Sequence, residues 1–331
     1  MRWWAALFGL AGLGFATWLF LWQGAGAVFS AFAAAGFGIL WASLFHLVPM
    51  AINAHAWQVL LPRVRRPSAA FLFRAVWLRE AVNGLLPVAR VGGEVASARL
   101  LIEHGMRPPF AVASLVVDMS LSLVTEFLFV VAGLALLAQA VGVSAFGHEA
   151  ALGLAAFVPL IAAVFVVQRL GFADLFAGLV RRLFGRRFLH LIKGAARLDA
   201  AVRRLYRRRI GILRCGVSQL IGWTAGAGEI YLALVFLGAP HSLVVALIIE
   251  SLIQGLSAGA FIVPGALGVQ EGGFLALGEL LGLSPEIALA LALMRRARDL
   301  LIFVPAVLLW QVSLGRRLLR GGRRRGGPAA G

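Results

Sequence analysis

The chain has 331 residues, of which 61% are apolar or aromatic and 39 more are glycine, far above the roughly 45–50% that soluble globular proteins carry. It holds 31 basic and only 14 acidic residues, a formal net charge of +17. The single Cys215 excludes an intramolecular disulfide and a Cys-based zinc cluster, and the six scattered histidines indicate no metal site. We therefore predict an all-α integral membrane protein without a cofactor.

Two apolar segments open the chain. Positions 3–62 contain no Asp, Glu, Lys or Arg, and the run 3–22 has Trp at both ends, which is typical of a first transmembrane helix with interfacial aromatic residues. A cleaved signal peptide is the weaker alternative, because more membrane segments follow directly. A second span is predicted within about 28–49, before a basic turn at 62–67.

The middle of the chain contains two further spans and a long basic segment. Spans are predicted at about 110–138 and 150–168, joined by a connector that lacks Lys and Arg. Residues 169–209 then hold twelve basic residues, in which Arg pairs alternate with apolar positions. This pattern predicts amphipathic helices on the membrane surface, and a solvated charged loop is an equally compatible alternative.

The C-terminal part completes a bundle of about eight transmembrane helices. Four more spans are predicted, at about 211–237, 242–262, 274–294 and 300–315. We therefore predict one membrane domain, 1–315, whose halves 1–168 and 210–315 are joined by a cytoplasmic loop at 169–209. A basic and disordered tail is predicted at 316–331.

The distribution of basic residues predicts the orientation. With both termini in the cytoplasm, 28 of the 31 basic residues lie on the inner side, as the positive-inside rule requires. Because the basic blocks alternate with apolar runs, they favour membrane topology over nucleic-acid binding. The exceptions are Arg295, Arg296 and Arg298, so either the topology differs near the C-terminus or these arginines are held inside the membrane for a purpose.

Two similar segments occupy matching positions in the predicted halves. Two segments, Pro87-Val88-Ala89-Arg90-Val91-Gly92-Gly93-Glu94 and Pro264-Gly265-Ala266-Leu267-Gly268-Val269-Gln270-Glu271, share Pro, Ala two residues later and Glu seven residues after Pro, and both contain Gly in between. Each follows two predicted spans and precedes two more. Helices broken by Pro and Gly at membrane depth must be buried in protein or line a polar cavity, and such pairs mark transport sites. Ordinary interfacial turns are the alternative.

The candidate site residues come from these segments and from charges inside the apolar runs. As substrate-binding candidates we take Arg79, Asn83, Pro87, Arg90, Gly92, Gly93, Glu94, Pro264, Gly265, Gly268 and Glu271. The intramembrane charged candidates are Asp118, Glu126, Glu229, Glu250, Arg295, Arg296 and Arg298.

The acidic candidates are expected to face the bundle interior, because a charge at the bilayer centre is costly. Asp118 and Glu126 share a helix face, about 12 Å apart, and are expected to pair with Arg90 or with the arginines at 295–298, or to relay protons. Glu94 and Glu271 are expected to orient arginines or backbone donors rather than to touch an anionic headgroup, for instance by pairing with Arg79, Arg90 or the arginines at 295–298. A purely structural ion pair is the alternative for each acid.

Three segments resemble a known family. They are 56–62 (AWQVLLP), 80–94 (EAVNGLLPVARVGGE) with Arg99-Leu100-Leu101 after it, and 264–271 (PGALGVQE). The chain resembles the transmembrane, flippase-like region of lysylphosphatidylglycerol synthases, and within that superfamily the hopanoid-biosynthesis-associated membrane proteins. The resemblance implies a multi-pass protein of the bacterial inner membrane whose partners are membrane lipids, an anionic phospholipid or a hopanoid among them.

The resemblance leaves several functions open. Full synthases carry a soluble aminoacyl-transferase domain after the membrane region, and we expect none here, so lipid translocation or lipid binding is the leading hypothesis. A membrane enzyme of lipid or isoprenoid biosynthesis, with Asp118, Glu126 and Glu229 as acid/base candidates, ranks below it. A scaffold for lipid-biosynthetic enzymes that dock on the 169–209 loop is the third hypothesis.

Overall fold

The computed structural model describes residues 30, 33, 35–62, 66–85, 92–142, 189–260 and 263–325, and within these ranges the regular structure is helical. The helices are α1 (Gly38–Phe45), α2 (Leu47–Leu60), α3 (Ala69–Leu85), α4 (Gly92–Glu103), α5 (Pro108–Val141), α6 (Leu189–Tyr206), α7 (Arg209–Phe236), α8 (Leu243–Gly259), a 3₁₀ turn (Pro264–Ala266), α9 (Val269–Leu280) and α10 (Pro285–Arg325). The predicted spans 3–22 and 150–168 lie outside the described residues.

Three segments of the described chain are long and apolar enough to cross a membrane: Gly38–Leu60, Pro108–Val141 and Arg209–Phe236. The last two match the spans predicted at 110–138 and 211–237. The second predicted span, 28–49, instead continues to Leu60, because His46 keeps helical dihedrals between α1 and α2. Pro49 did not end the span, since proline in the first turn of a helix costs no necessary hydrogen bond.

The C-terminal spans differ from the prediction. The predicted boundary near 295–299 lies inside α10, and the helix break falls instead at 281–284, where Gly282 has a φ of 79°. Ser284 then accepts a hydrogen bond from the amide of Ile287 at the start of α10. The helix continues to Arg325, into the predicted tail. Eight crossings are therefore not established, and the C-terminal pair of spans was misplaced.

The described part of the basic loop forms α6, which confirms the helical alternative for residues 189–206. Its apolar side packs against α5, and Val202 and Leu205 are buried there. Its arginines, among them Arg203 and Arg204, lie on the exposed side. Opposite faces of this helix thus meet the apolar bundle and the polar surroundings, as its sequence alternation requires.

The helices pack around two main apolar cores. One core joins α1 and the second half of α5 to α7, α8, α9 and α10, and the other joins α2, α3 and the first half of α5 to α6 and Cys215 of α7. Helix α7 packs along both α2 and α5. Each core therefore combines helices from both sides of residue 168.

Helix α7 also presents an apolar face to the outside. Ile210, Leu213, Val217 and Ile221 are 48–69% exposed, and their spacing places them on one side of the helix. A continuous exposed apolar face of this kind fits contact with lipid.

Candidate functional site

The first predicted break separates α3 from α4, so the interruption of the helix is confirmed. Asn83 joins the two ends: its Oδ1 accepts a hydrogen bond from the Gly93 amide at 2.8 Å, and its Nδ2 donates to Glu94 at 3.1 and 3.2 Å. A Cβ on Gly93 would overlap the carbonyl oxygen of Arg79, so this approach requires glycine. Glu94 thus accepts hydrogen bonds from the Asn83 amide, whereas Arg79, one of the arginines expected to pair with it, pairs with Asp118. Pro87 and Arg90 lie outside the described residues.

The second predicted break separates α8 from α9 and is likewise confirmed. Gly265, Ala266 and Gly268 all have positive φ, at 61°, 48° and 78°, in the left-handed region that is costly for residues other than glycine. The turn that begins at Pro264 therefore reverses the chain sharply. Glu271 stabilises the start of α9, because its Oε2 accepts a hydrogen bond from the Gly268 amide at 2.7 Å.

The two breaks meet inside the bundle. A Cβ on Gly265 would lie 3.4 Å from the carbonyl oxygen of Gly84, at the end of α3. Arg296 of α10 binds the second break, since its Nη1 donates to the Gly265 carbonyl at 2.8 Å and its Nε donates to Glu271 at 2.9 Å. The predicted pairing of Glu271 with this arginine cluster is confirmed. The Nη2 atom of Arg296 is buried and has no hydrogen-bond partner among the described residues.

The neighbouring arginines Arg295 and Arg298 are also paired with acids. The Nη1 and Nη2 atoms of Arg295 each donate to the carboxylate of Glu250 at 3.0 Å. Arg298 donates to Glu229 at 3.0 and 3.1 Å and also pairs with Asp299. Arg295 and Arg298 are 4% and 6% exposed. The arginines that fit no cytoplasmic loop are therefore part of the interior.

His46 links this cluster to α3. Its Nδ1 lies 2.9 Å from Glu229, and its Nε2 lies 3.4 Å from Glu80. Arg298 approaches the same imidazole at 3.3 Å, and the ring packs edge-on against Phe303. Sequence reasoning missed this residue. The available signal was that His46 lies inside the uncharged run 3–62, which holds only one other histidine, His55.

A second ion pair lies between α3 and α5. Arg79 donates to Asp118 at 2.7 Å, and Gln219 of α7 donates to the same carboxylate at 3.0 Å. The Arg79 guanidinium also lies over the buried ring of Trp57, 5.5 Å from its centroid. The predicted pairing of Asp118 with the arginines at 295–298 is therefore wrong, because the side chain of Arg79 on α3 reaches this carboxylate instead. Glu126 lies two turns further along α5 and is half-buried.

The comparison with known families identifies the kind of protein to which these interior ion pairs belong. The family described as the lysylphosphatidylglycerol synthase TM region matches residues 9–306. The chain belongs to this family. Searches of curated proteins and of solved structures find no match to it.

The family match covers both helix breaks and all the interior ion pairs. The protein is therefore an integral membrane protein of the lysylphosphatidylglycerol synthase TM region family, whose members are associated with phospholipid modification and translocation. The match carries nothing that distinguishes the hopanoid-associated subgroup.

The interior of this family member is more acidic than the chain as a whole. Seven carboxylates lie in the contacts around the two breaks, against four guanidinium groups, so the described cluster has a net charge of −3 when His46 is neutral. The acids are Glu80, Glu94, Asp118, Glu229, Glu250, Glu271 and Asp299, and the bases are Arg79, Arg295, Arg296 and Arg298.

Proposed function

We propose that this protein translocates phospholipids across the membrane, with the headgroup passing the polar interior between the two helix breaks. The observation that supports this is the meeting of Gly84, at the end of α3, with Gly265, in the turn between α8 and α9, beside Arg296. Backbone freed at such breaks needs protein or a polar cavity, and transporters place their substrate sites there.

The charges around the breaks suggest which headgroups are favoured. The unpartnered Nη2 of Arg296 can donate to a phosphate oxygen, and guanidinium groups match phosphate geometry well. The excess of carboxylates would attract an amino group on the same headgroup. We therefore favour an amine-bearing phospholipid over the anionic headgroup that the sequence suggested for this site.

Reconstituted vesicles test the proposal. Vesicles of phosphatidylcholine and phosphatidylglycerol would carry a trace of phosphatidylethanolamine labelled on an acyl chain with the fluorophore NBD. Dithionite bleaches only the outer leaflet, so extra bleaching reports transfer. We expect transfer with the protein, faster for labelled phosphatidylethanolamine than for phosphatidylglycerol with the same acyl label. The absence of transfer for both lipids would contradict translocation.

A conservative variant distinguishes a role of Arg296 in lipid transfer from a role in folding. Arg296→Lys keeps a cation beside Glu271 but removes the Nη1 donor that binds the Gly265 carbonyl and the unpartnered Nη2. Losing one charge-assisted hydrogen bond costs about 1.5–3 kcal/mol, so we expect transfer to fall roughly 10- to 150-fold with folded yield preserved. Arg99→Lys is the matched control, because Arg99 is also paired with a glutamate, at 3.1 Å, on an exposed surface. Equal transfer by both variants would remove Arg296 from the site.

Arg90 remains a second candidate site residue, on the basis of the sequence alone. Arg90→Ala is expected to abolish lipid transfer while the protein still inserts and folds. Because Glu94 accepts from Asn83, Glu94→Ala should loosen the junction of α3 and α4 rather than strand a buried cation. The measurements are folded yield and lipid transfer for both variants. Normal lipid transfer by Arg90→Ala would exclude Arg90 from the site.

A further inference from the structure

A large cavity lies away from the helix breaks, at the end of the bundle where the three candidate spans meet. Its volume is about 940 Å³, within the range of about 300–1,000 Å³ typical of ligand pockets. It is formed by the residues after α2, the residues before α3, the turn between α4 and α5, and one side of α6. Spans Gly38–Leu60, Pro108–Val141 and Arg209–Phe236 all end or begin at this level, which is where lipid headgroups lie.

The polar lining of the cavity is strongly basic. Arg66, Arg107, Arg197 and Arg204 line it, and the described lining includes no acidic residue. Arg66 is held in place, because its Nη2 donates to the Leu61 carbonyl at 2.9 Å. The other three arginines are exposed. Four guanidinium groups around one cavity produce a strongly positive potential, which a phosphate group would neutralise.

The remaining lining is apolar. Leu61, Met106, Pro109 and Phe110 contribute to the wall, together with Ala200 and Ala201 of α6. His104 is stacked on Phe71 with a centroid distance of 4.1 Å, which holds the turn between α4 and α5 against α3. A hydrophilic anion would leave this wall uncovered, whereas an acyl chain would cover it. The two kinds of lining together select a ligand with an anionic head and an apolar tail.

We propose that this cavity binds an anionic phospholipid, with its phosphate among the four arginines and an acyl chain along the apolar wall. The bound lipid would bridge α6 to the turn between α4 and α5. This site differs from the acidic interior in charge and in position. It goes beyond the proposed function and would stand even if the protein translocated no lipid.

Native mass spectrometry of the detergent-purified full chain tests the site. The probes are phosphatidylglycerol and phosphatidylcholine with the same acyl chains. The site variant is Arg107→Gln with Arg204→Gln. The matched control is Arg74→Gln with Arg203→Gln, because these arginines are also exposed but do not line the cavity. At about one factor of five per basic residue near an anionic headgroup, we expect the site variant to bind phosphatidylglycerol roughly 30-fold more weakly, and the control to match the parent protein.

Three outcomes would overturn the proposal. Equal binding of the two lipids by the parent protein would show that charge is not recognised. Equal loss in the site and control variants would indicate a diffuse surface effect. Displacement of the lipid by glycerol phosphate would indicate a soluble phosphate ligand instead, so this competitor is added in a separate arm and is expected to displace nothing.

If the double variant fails to fold, Arg204→Gln alone against Arg203→Gln makes the same comparison within one helix. Lipid transfer by the same variants is measured separately, so that failure of translocation does not affect this test.

Discussion

The ion pair between Glu250 of α8 and Arg295 of α10 allows a quantitative test of how interior charges stabilise the bundle. Both side chains are almost fully buried, at 5% and 4% exposure, and both carboxylate oxygens accept at 3.0 Å. Glu250 is further held by Gln254, which donates to it at 2.8 Å. We consider Glu250→Leu, Arg295→Met and the double variant that carries both.

The expected magnitudes follow from burial. Removing either partner leaves the other charge buried and unpaired, which costs about 3–5 kcal/mol in the free energy of unfolding. Replacing both with apolar groups of similar volume is often neutral, so the double variant should be more stable than either single variant. The coupling free energy of the double-mutant cycle should therefore reach at least about 3 kcal/mol.

The free energy of unfolding would be measured for purified protein in mixed micelles by titration with SDS, followed by tryptophan fluorescence. The exposed pair Arg99 and Glu103 is the matched control. Arg99 retains 63% exposure, and an exposed helical pair contributes only about 0.3–0.5 kcal/mol. The same cycle at this pair should therefore show almost no coupling.

Two results would refute this reasoning. If the losses of Glu250→Leu and Arg295→Met simply add in the double variant, the two charges do not stabilise one another. If the control cycle shows as much coupling as the buried one, burial is not what strengthens the pair. In either case the interior arginines of α10 would need another explanation.

Other predictions concern packing and orientation. Gly133→Ala should destabilise by about 1–3 kcal/mol, because the added Cβ would overlap Ser251 across the contact of α5 with α8. Gly216→Ala, where the Cβ meets only ordinary contact distances, should be neutral or stabilise by up to about 1 kcal/mol, and equal losses in the two variants would contradict the packing argument. Reporter fusions should place Gly327 in the cytoplasm and Gly147 outside, and periplasmic activity at Gly327 would contradict the orientation inferred from the basic residues.

The amino-acid sequence alone determined the class of the protein and the position of its clearest elements. The spans at Pro108–Val141 and Arg209–Phe236 were predicted closely, because long and mostly apolar runs depend only on local composition. The breaks beside Gly92 and Pro264 were predicted for a similar reason, since glycine and proline act on the backbone at their own position.

The tertiary structure decided which charges meet. Asp118 pairs with Arg79, and Glu229 pairs with both His46 and Arg298, across separations that no spacing rule covers. The same pairing explains why α10 continues where a loop was predicted. In the sequence alone, a run of charges between two apolar segments predicts a polar connector. Once acids on other helices neutralise those arginines, the helix can stay buried, because the cost of a charge in a low-dielectric interior depends on its partner.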